Sequence, residues 1–363
     1  MSESPASFRP ASFQVASLYH FAPVADVAAL RAQILPQCLD LDLKGTILVA
    51  PEGLNGTIAG TAPAIDAAVL FLRSLPGFAE MDVKYSVAAE MPFLRMKVRM
   101  KREIVTMGVD GIDAAHDKGN YLNPDEWNAA IADPDTVVID TRNDYEVAIG
   151  SFAGAINPQT ESFRDFPAWF DEFAEKLREE RQGKPPKIAM FCTGGIRCEK
   201  ATAYVKAQGF DDVHHLRGGI LRYLEHVPKP ESQWQGDCFL FDQRVAVGHG
   251  LQESDYAQCH ACRMPLNAED RGSPHYVVGV SCPHCYEERS AEQRARYEER
   301  QRQVEMAQAK GRIHLGSDAV PAAHVSADTV SGTDNGFDLN AEIQADDDIN
   351  EGLVTGYTRV SKP

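Results

Sequence analysis

Met190-Phe191-Cys192-Thr193-Gly194-Gly195-Ile196-Arg197-Cys198 decides how the middle of this chain folds. The apolar run 187–191 leads into it and reads as a buried strand. Residues 199–206 follow and read as a helix closed by Gly209. Cys192 therefore stands where a strand turns into a helix N-terminus. Two glycines let the backbone curl tightly, so that successive N–H groups point inward. Those groups and the positive end of the helix dipole favour an anion. Such a setting lowers a thiol pKa from ~8.5 to roughly 3.5–7.5. Arg197 adds a fixed cation with a fork of donors. The expectation is a reactive thiolate at Cys192 in an anion loop of Thr193, Gly194, Gly195, Ile196 and Arg197. The competing reading is a structural cysteine in a glycine turn.

The flanks extend this pattern. Residues 136–142 read as a buried strand ending in Asp140 and Arg142, 143–150 as a short helix, and 151–158 as a turn and short strand. Residues 212–220 read as another strand with a Gly-Gly exit. This order resembles the rhodanese domain, in which four segments recur together: D-x-R, E-x-x-x-G-x-x-x-G-A-x-N, C-x-x-x-x-R and L-x-G-G. The resemblance covers residues 123–230. It implies a catalytic Cys192, a loop closed by Arg197, and buried packing or ion-pairing roles for Asp140, Arg142 and Glu146. Rhodaneses move sulfur through a cysteine persulfide. Phosphatases with a related loop carry one more residue between Cys and Arg, so the spacing here argues against phosphoryl transfer.

A length of 363 residues suits two or three domains, and 44% hydrophobic residues suffice for sizeable cores. The net charge of −17 would ordinarily argue against a nucleic-acid partner. The charge is unevenly placed, however. Residues 313–363 hold nine acids and two bases, a net of −7. Residues 84–102 hold six bases (Lys84, Arg95, Lys97, Arg99, Lys101, Arg102) against one acid, Glu90. Phe93, Met96, Val98 and Met100 interleave with them, so strand alternation gives one apolar and one basic face. That basic face is either a solvated surface or a phosphate-binding one. Residues 1–23 contain no signal-peptide core, and no run approaches a membrane span. Eight cysteines in such a chain suit a reducing cytoplasm better than a disulfide framework.

Residues 12 to about 110 alternate strand and helix patterns in the order β-α-β-β-α-β, followed by a fifth strand, with strands at 12–21, 45–50, 57–59, 82–88 and 94–100 and helices at 26–39 and 61–75. This predicts a ferredoxin-like (acylphosphatase-like) α+β sandwich. Residues 51–60 read as a hairpin whose glycines and Asn55 alternatively approach a ligand. Residues 236–242 read as a strand with Cys238 buried. Cys259-His260-Ala261-Cys262 and Cys282-Pro283-His284-Cys285 are two knuckles separated by nineteen residues. Four thiolates so arranged fit a closed, structural zinc site, with His260 and His284 as bystanders. The other reading is free dithiols or a redox disulfide. Residues 286–310 predict a charged surface helix, and the acidic segment from about residue 316 predicts disorder.

P-E-G-L-N-G-T-I-A-G, C-T-G-G-I-R-C-E-K-A, C-F-L-F-D-Q-R-V-A-V and the two knuckles follow one another in order. Over residues 12–290 this arrangement resembles the bacterial oxygen-dependent tRNA uridine hydroxylase family. The resemblance implies 5-hydroxylation of the wobble uridine of tRNA, with molecular oxygen as co-substrate and Cys192 essential. The expected division is a ferredoxin-like domain (1–112), a central rhodanese α/β domain with a parallel sheet (113–236), a four-cysteine zinc region (237–290), and a charged helix with a disordered tail (291–363). No dinucleotide glycine fingerprint follows a first strand, so no flavin or nicotinamide site is expected. One mechanism adds the Cys192 thiolate to C6 of uracil, with Arg197 and the loop N–H groups holding a pyrimidine carbonyl or a peroxide anion. Another oxidises Cys192. Cys198 is then either a resolving thiol, reached by loop opening, or a buried helix cysteine. Sulfur transfer and a non-catalytic RNA-binding adaptor are the competing functions.

Overall fold

The computed structural model describes residues 12–182 and 184–310. The disorder expected of the acidic tail lies outside the described residues. No helix among them is long and apolar enough to cross a membrane.

The first unit runs β1 (Phe13–Phe21), α1 (Val27–Asp40), β2 (Lys44–Ala50), β3 (Gly53–Gly60), α2 (Ala62–Ser74), β4 (Asp82–Ala88) and β5 (Met96–Met100). The strands form one sheet in the order β4-β1-β3-β2-β5. The first four give the split β-α-β ladder expected from the pattern, and β5 adds parallel to β2 at the edge. Each helix has a chain-local start: Asp26 accepts from Ala29 N, and Thr61 accepts from Ala64 N. Alternation sorts β1. Ala16 and Leu18 enter the core with Ile34, Ile47, Ile58, Ile65 and Leu72, while Val15 and Tyr19 face the other way. Burying each large aliphatic side chain in that core contributes about 1.5–3 kcal/mol. Val98 joins the same core, with Met96 and Met100 packed against it, so the apolar face of β5 lies on the helix side.

The 51–60 segment is a hairpin. Its second strand starts at Gly53, four residues earlier than the pattern suggests, because Gly53 at φ 145° presses against the backbone of His20, leaving no space for a Cβ. Glu52 and Asn55 are held by chain rather than left for a ligand. Glu52 Oε1 accepts from Ile104 N (2.6 Å), and Asn55 Nδ2 donates to Ile104 O (2.9 Å). They thereby anchor the segment that leads out of the first unit.

The second unit contains β6 (Asn120–Leu122), α3 (Pro124–Ala132), β7 (Thr136–Asp140), α4 (Asp144–Val147), β8 (Gly150–Phe152), α5 (Phe166–Glu180), β9 (Lys187–Phe191), α6 (Ile196–Ala207), β10 (Val213–Leu216) and α7 (Gly219–His226). Its sheet is parallel throughout, in the order β6-β10-β9-β7. Phe166, Phe170 and Leu177 of α5 pack with Ala201 and Val205 of α6 on one face. Trp127 of α3 packs with Ile220 and Leu224 of α7 on the other. Both faces are thus covered, as parallel strands require. The Gly-Gly segment after β10 does more than end a strand. Gly218 adopts φ 73° and opens α7.

The strand expected over 236–242 is broken. β11 (Trp234–Gly236) pairs with β8, Gly236 turns at φ 81°, and β12 (Cys238–Phe239) pairs with β13 (Ala246–Val247). Cys238 is buried as expected. The four-cysteine region adds β14 (Ala257–Gln258), β15 (Pro265–Leu266) and α8 (Ala268–Gly272), and the charged helix is α9 (Ala291–Ala309).

Two neighbouring residues of α6 hold the two units together. Lys200 reaches Glu52 Oε2 (2.8 Å) and Glu103 Oε2 (2.5 Å), and Glu199 accepts from Tyr19 Oη (2.9 Å). Replacing Lys200 by Met should strand two carboxylates at this seam. The expected loss is on the order of 3 kcal/mol, seen as a lower midpoint in urea unfolding. An unchanged midpoint would mean the seam is held elsewhere.

Candidate active site

The C-terminal ends of β7, β9 and β10 converge on one point, because parallel strands deliver all their following loops to the same edge. The loop after β9 carries Cys192. Gly195, at φ 102°, is the N-cap of α6 and turns its N–H onto the sulfur, donating to Cys192 Sγ at 3.1 Å. Gly218–Gly219 lies across the loop. Ile220 N donates to Cys192 O (3.0 Å) and Leu221 N to Thr193 O (3.1 Å), so the start of α7 saturates the loop carbonyls. A Cβ on Gly219 would stand 2.4 Å from Cys192 O and 2.8 Å from Gly195 N, at φ +65°. Only glycine fits this close approach.

Cys192 is 0% exposed. Burial by itself raises a thiol pKa. The neighbouring Cys198 thiol and amide, the Arg197 charge and the Gly195 amide outweigh it and bring Cys192 down to about 6. The same proximity works on Cys198 in reverse: burial and the Cys192 thiolate push its thiol well above the usual value. Thr141 Oγ1 lies 3.5 Å from Cys198 Sγ. Cys192 and Cys198 therefore bias each other's protonation within the loop. Gly194 faces open space where a side chain would stand.

Arg197 is placed differently from the expectation that it holds a ligand. Its Nη1 donates to Glu146 Oε1 (2.6 Å), and its Nη2 donates to Glu146 Oε2 (2.8 Å) and Thr193 Oγ1 (3.3 Å). A buried guanidinium needs a counter-charge, and Glu146 supplies it from α4. Burial opposes the charge on Glu146, but Arg197 holds its carboxyl below the usual range. Thr193 Oγ1 also donates to Glu146 (3.2 Å). Arg197 therefore braces the loop, and the backbone N–H groups are left as the anion donors. Arg142 forks onto Asp140 (2.6 and 2.9 Å) and donates to Gly150 O (2.6 Å), a fully buried pair beneath the loop. The resemblance implied this role for Asp140, Arg142 and Glu146.

Two features of the site have no simple signature in the sequence. Phe241, 65% exposed, stands with its ring 6.0 Å from the Arg197 guanidinium carbon. A turn fixes it, through the forked Arg244–Asp242 pair and Arg244 Nη1 bonded to Ser86 Oγ (2.7 Å). Glu199 is 3% exposed yet carries three donors: Tyr19, Tyr121 (2.6 Å) and Lys118 (2.8 Å). A charged residue at a helical position whose partners lie far away in sequence gives no local signal.

The six bases of 84–102 do not form one patch. Lys84 lies on β4 at one edge of the first sheet, paired with Asp82 (2.8 Å) and over the Tyr19 ring (4.9 Å). Lys97 and Arg99 lie on β5 at the other edge. Lys101 is buried, and Arg95 and Arg102 are exposed.

The sulfurs of Cys259, Cys262, Cys282 and Cys285 lie within 4.8 Å of one another. Individual separations are 3.6 Å (262–282), 3.7 Å (282–285) and 4.0 Å (259–285). A tetrahedral zinc with Zn–S of about 2.3 Å has S···S edges of about 3.8 Å, so the donor set fits. His284 is turned away onto Asp270 (3.2 Å).

Residues 13–104 match the family described as UPF0176 acylphosphatase like domain, and residues 123–226 match the rhodanese-like domain. A Brucella anthropi protein named tRNA uridine(34) hydroxylase is 58% identical over 306 residues, 84% of this chain and 98% of its own. A Gluconobacter oxydans protein of the same name is 56% identical over 310 residues, 85% of this chain and 98% of its own. A solved rhodanese-like domain from Anabaena aligns with 32% of this chain and 78% of its own at 15% identity, with a TM-score of 0.26.

Removing the Cys198 thiol should weaken the hold on the Cys192 thiolate. In Cys198→Ala, the thiolate absorbance lost on Cys192→Ala should titrate at a higher pH than the value of about 6 in the parent. The thiolate is present above its pKa and disappears as pH falls through it. An unmoved titration would show that the amides and Arg197 suffice.

Proposed function

The chain belongs to the tRNA uridine(34) hydroxylase family, and from that membership and the geometry of the loop we propose that it hydroxylates C5 of the wobble uridine of tRNA, with Cys192 as the catalytic residue and molecular oxygen as co-substrate. The observation that carries the reading is the buried sulfur of Cys192. It is held as a thiolate near neutral pH by an amide, a second thiol and a braced arginine.

A thiolate is the right reagent for C6 of uracil. Its addition forms the S–C6 bond and moves the C5–C6 π electrons onto C5, which becomes enolate-like. The pyrimidine carbonyl takes up the charge and needs donors, which the loop N–H groups supply. Oxygen is then introduced at C5, the C5 proton leaves, and the S–C6 bond breaks to return the thiolate. Overall, uridine and O₂ with two electrons and two protons give 5-hydroxyuridine and water. An external reductant supplies the electrons. Arg197 and Glu146 hold the loop in shape throughout. Cys198 keeps the thiolate pKa low and would act as a resolving thiol if Cys192 were oxidised.

A protein with that reaction would be an oxidoreductase, and tRNA as its partner supports the cytoplasm as its compartment. Cys259, Cys262, Cys282 and Cys285 would hold a structural zinc. Zinc there would cross-link the two knuckles, and four thiolates would leave it a structural rather than a catalytic ion. The exposed ends of the basic edge, Arg95 and Arg102, with Lys97 and Arg99 on β5, would meet the phosphates of tRNA.

Cys192→Ser should abolish 5-hydroxyuridine in tRNA reconstituted with the purified protein under air. Full activity in that variant would remove the mechanism. Cyanide-dependent sulfur transfer without hydroxylation in the parent would instead favour the persulfide chemistry of the rhodanese domain. Reversing Lys97 and Arg99 together to Glu should weaken tRNA binding and flatten its salt dependence, by roughly 0.7–0.9 in log–log slope for each phosphate no longer neutralised. An unchanged slope would return these bases to the solvated surface.

A further inference from the structure

A cavity of about 800 Å³ lies at the junction of the first and second units. It falls within the ~300–1,000 Å³ typical of ligand clefts. Neither the loop chemistry nor the basic edge of β5 uses it. The geometry points to a second RNA site in this cavity. It would receive an unpaired nucleotide flanking the target, with its base on the Tyr121–Arg217 platform and its phosphate between Arg217 and Arg222. This inference rests on the tRNA reading given above.

Position is the first support. Gly218 lines the cavity, and Gly219 beside it rests on the Cys192 loop. Tyr19 lines the cavity as well, and a Cβ on Gly195 would stand 2.9 Å from its hydroxyl. The cavity and the thiolate loop therefore share a wall.

Charge is the second. Lys118 is committed to Glu199 (2.8 Å), and Lys84 to Asp82 (2.8 Å). Arg73 is held on Met81 O, which leaves the guanidinium groups of Arg217 and Arg222 in the lining against the exposed carboxylate of Glu80. No carboxylate among the described residues is within ion-pair distance of Arg217, and Arg222 acts at longer range on Asp82, which Lys84 already pairs. In a chain of net charge −17, a cluster of guanidinium groups beside the reactive loop is a local exception that favours an anionic ligand.

The third support is the platform. The Arg217 guanidinium carbon lies 4.3 Å from the Tyr121 ring centroid. Tyr121 cannot swing away, because its hydroxyl is bonded to Glu199 (2.6 Å) and its ring meets the His215 ring at 4.4 Å. His215 is 0% exposed, has no hydrogen-bond partner on either ring nitrogen, and meets the Tyr121 ring edge-on at 68°, which limits its movement. A fixed aromatic face with an arginine on it is what unpaired RNA bases stack on. A bare phosphate would need the arginines but not the ring.

The test uses the full chain and a labelled anticodon stem-loop RNA. Binding is followed by anisotropy for the parent, Arg217→Ala/Arg222→Ala and Arg217→Lys. The double variant should bind roughly tenfold more weakly or worse. Arg217→Lys, which keeps the charge but loses the plane, should fall between. Arg217 is exposed, and thermal melting checks each variant; should the double variant melt early, Arg217→Gln alone carries the same test. Binding by the double variant within twofold of the parent would overturn the site. Equal losses of inorganic phosphate binding and RNA binding, with Arg217→Lys restoring both in full, would also overturn it, since the platform would then contribute nothing. Hydroxylation of tRNA by the parent is measured in the same series. An inactive parent that loses RNA binding through these arginines would sink the proposed reaction and keep the site. An active parent whose variants bind normally would sink the site alone.

Discussion

A sulfur anion with no exposed surface must be held by its surroundings, and here those surroundings are assembled from three loops. The Gly195 amide, the Cys198 thiol and amide, and the Arg197 charge outweigh the burial that would otherwise neutralise Cys192. Arg197 is itself buried and would be as costly as the thiolate without Glu146, whose carboxylate meets it through two bonds. The charges alternate inward: carboxylate, guanidinium, thiolate. Each makes the next tolerable, and the loop keeps its curl because Gly219 permits α7 to lie directly on its carbonyls.

The same helix that opens at the loop also joins the two units. Glu199 and Lys200 follow Cys198 directly and point to opposite ends of the seam. Glu199 gathers Tyr19, Tyr121 and Lys118, while Lys200 gathers Glu52 and Glu103. The first unit is therefore fixed against the reactive loop rather than tethered beside it. A wall shared by Tyr19, Gly218 and the loop follows from that docking. In a reaction on a large RNA, such rigidity fixes where the strand must enter relative to the sulfur.

Legibility in the sequence varies with the range of the interaction. Strand 187–191, the glycine loop and the helix after it are readable, because burial alternation and helix-start geometry act between near neighbours. The β-α-β-β-α-β order is readable for the same reason, and so is the pairing of two C-x-x-C knuckles. The core face of α5 is written locally too, since Phe166, Phe170, Ala174 and Leu177 recur at helical spacing; what only the fold shows is that this face meets α6. The strand expected over 236–242 fails at both ends, because Gly236 turns the chain at φ 81° and the chain turns again over 241–244 to pair β12 with β13.

The sequence alone determined the strand–loop–helix that carries Cys192, the two-unit α/β order and the four-cysteine set, since each is written in residues close together along the chain. Only the tertiary structure decided that Arg197 forks onto Glu146, and that the bases of 84–102 divide between two sheet edges. The reason is physical. A charge buried in a low-dielectric interior takes its meaning from whichever partner folding brings within about 3 Å, and that partner is set by sheet order and helix docking, not by distance along the chain.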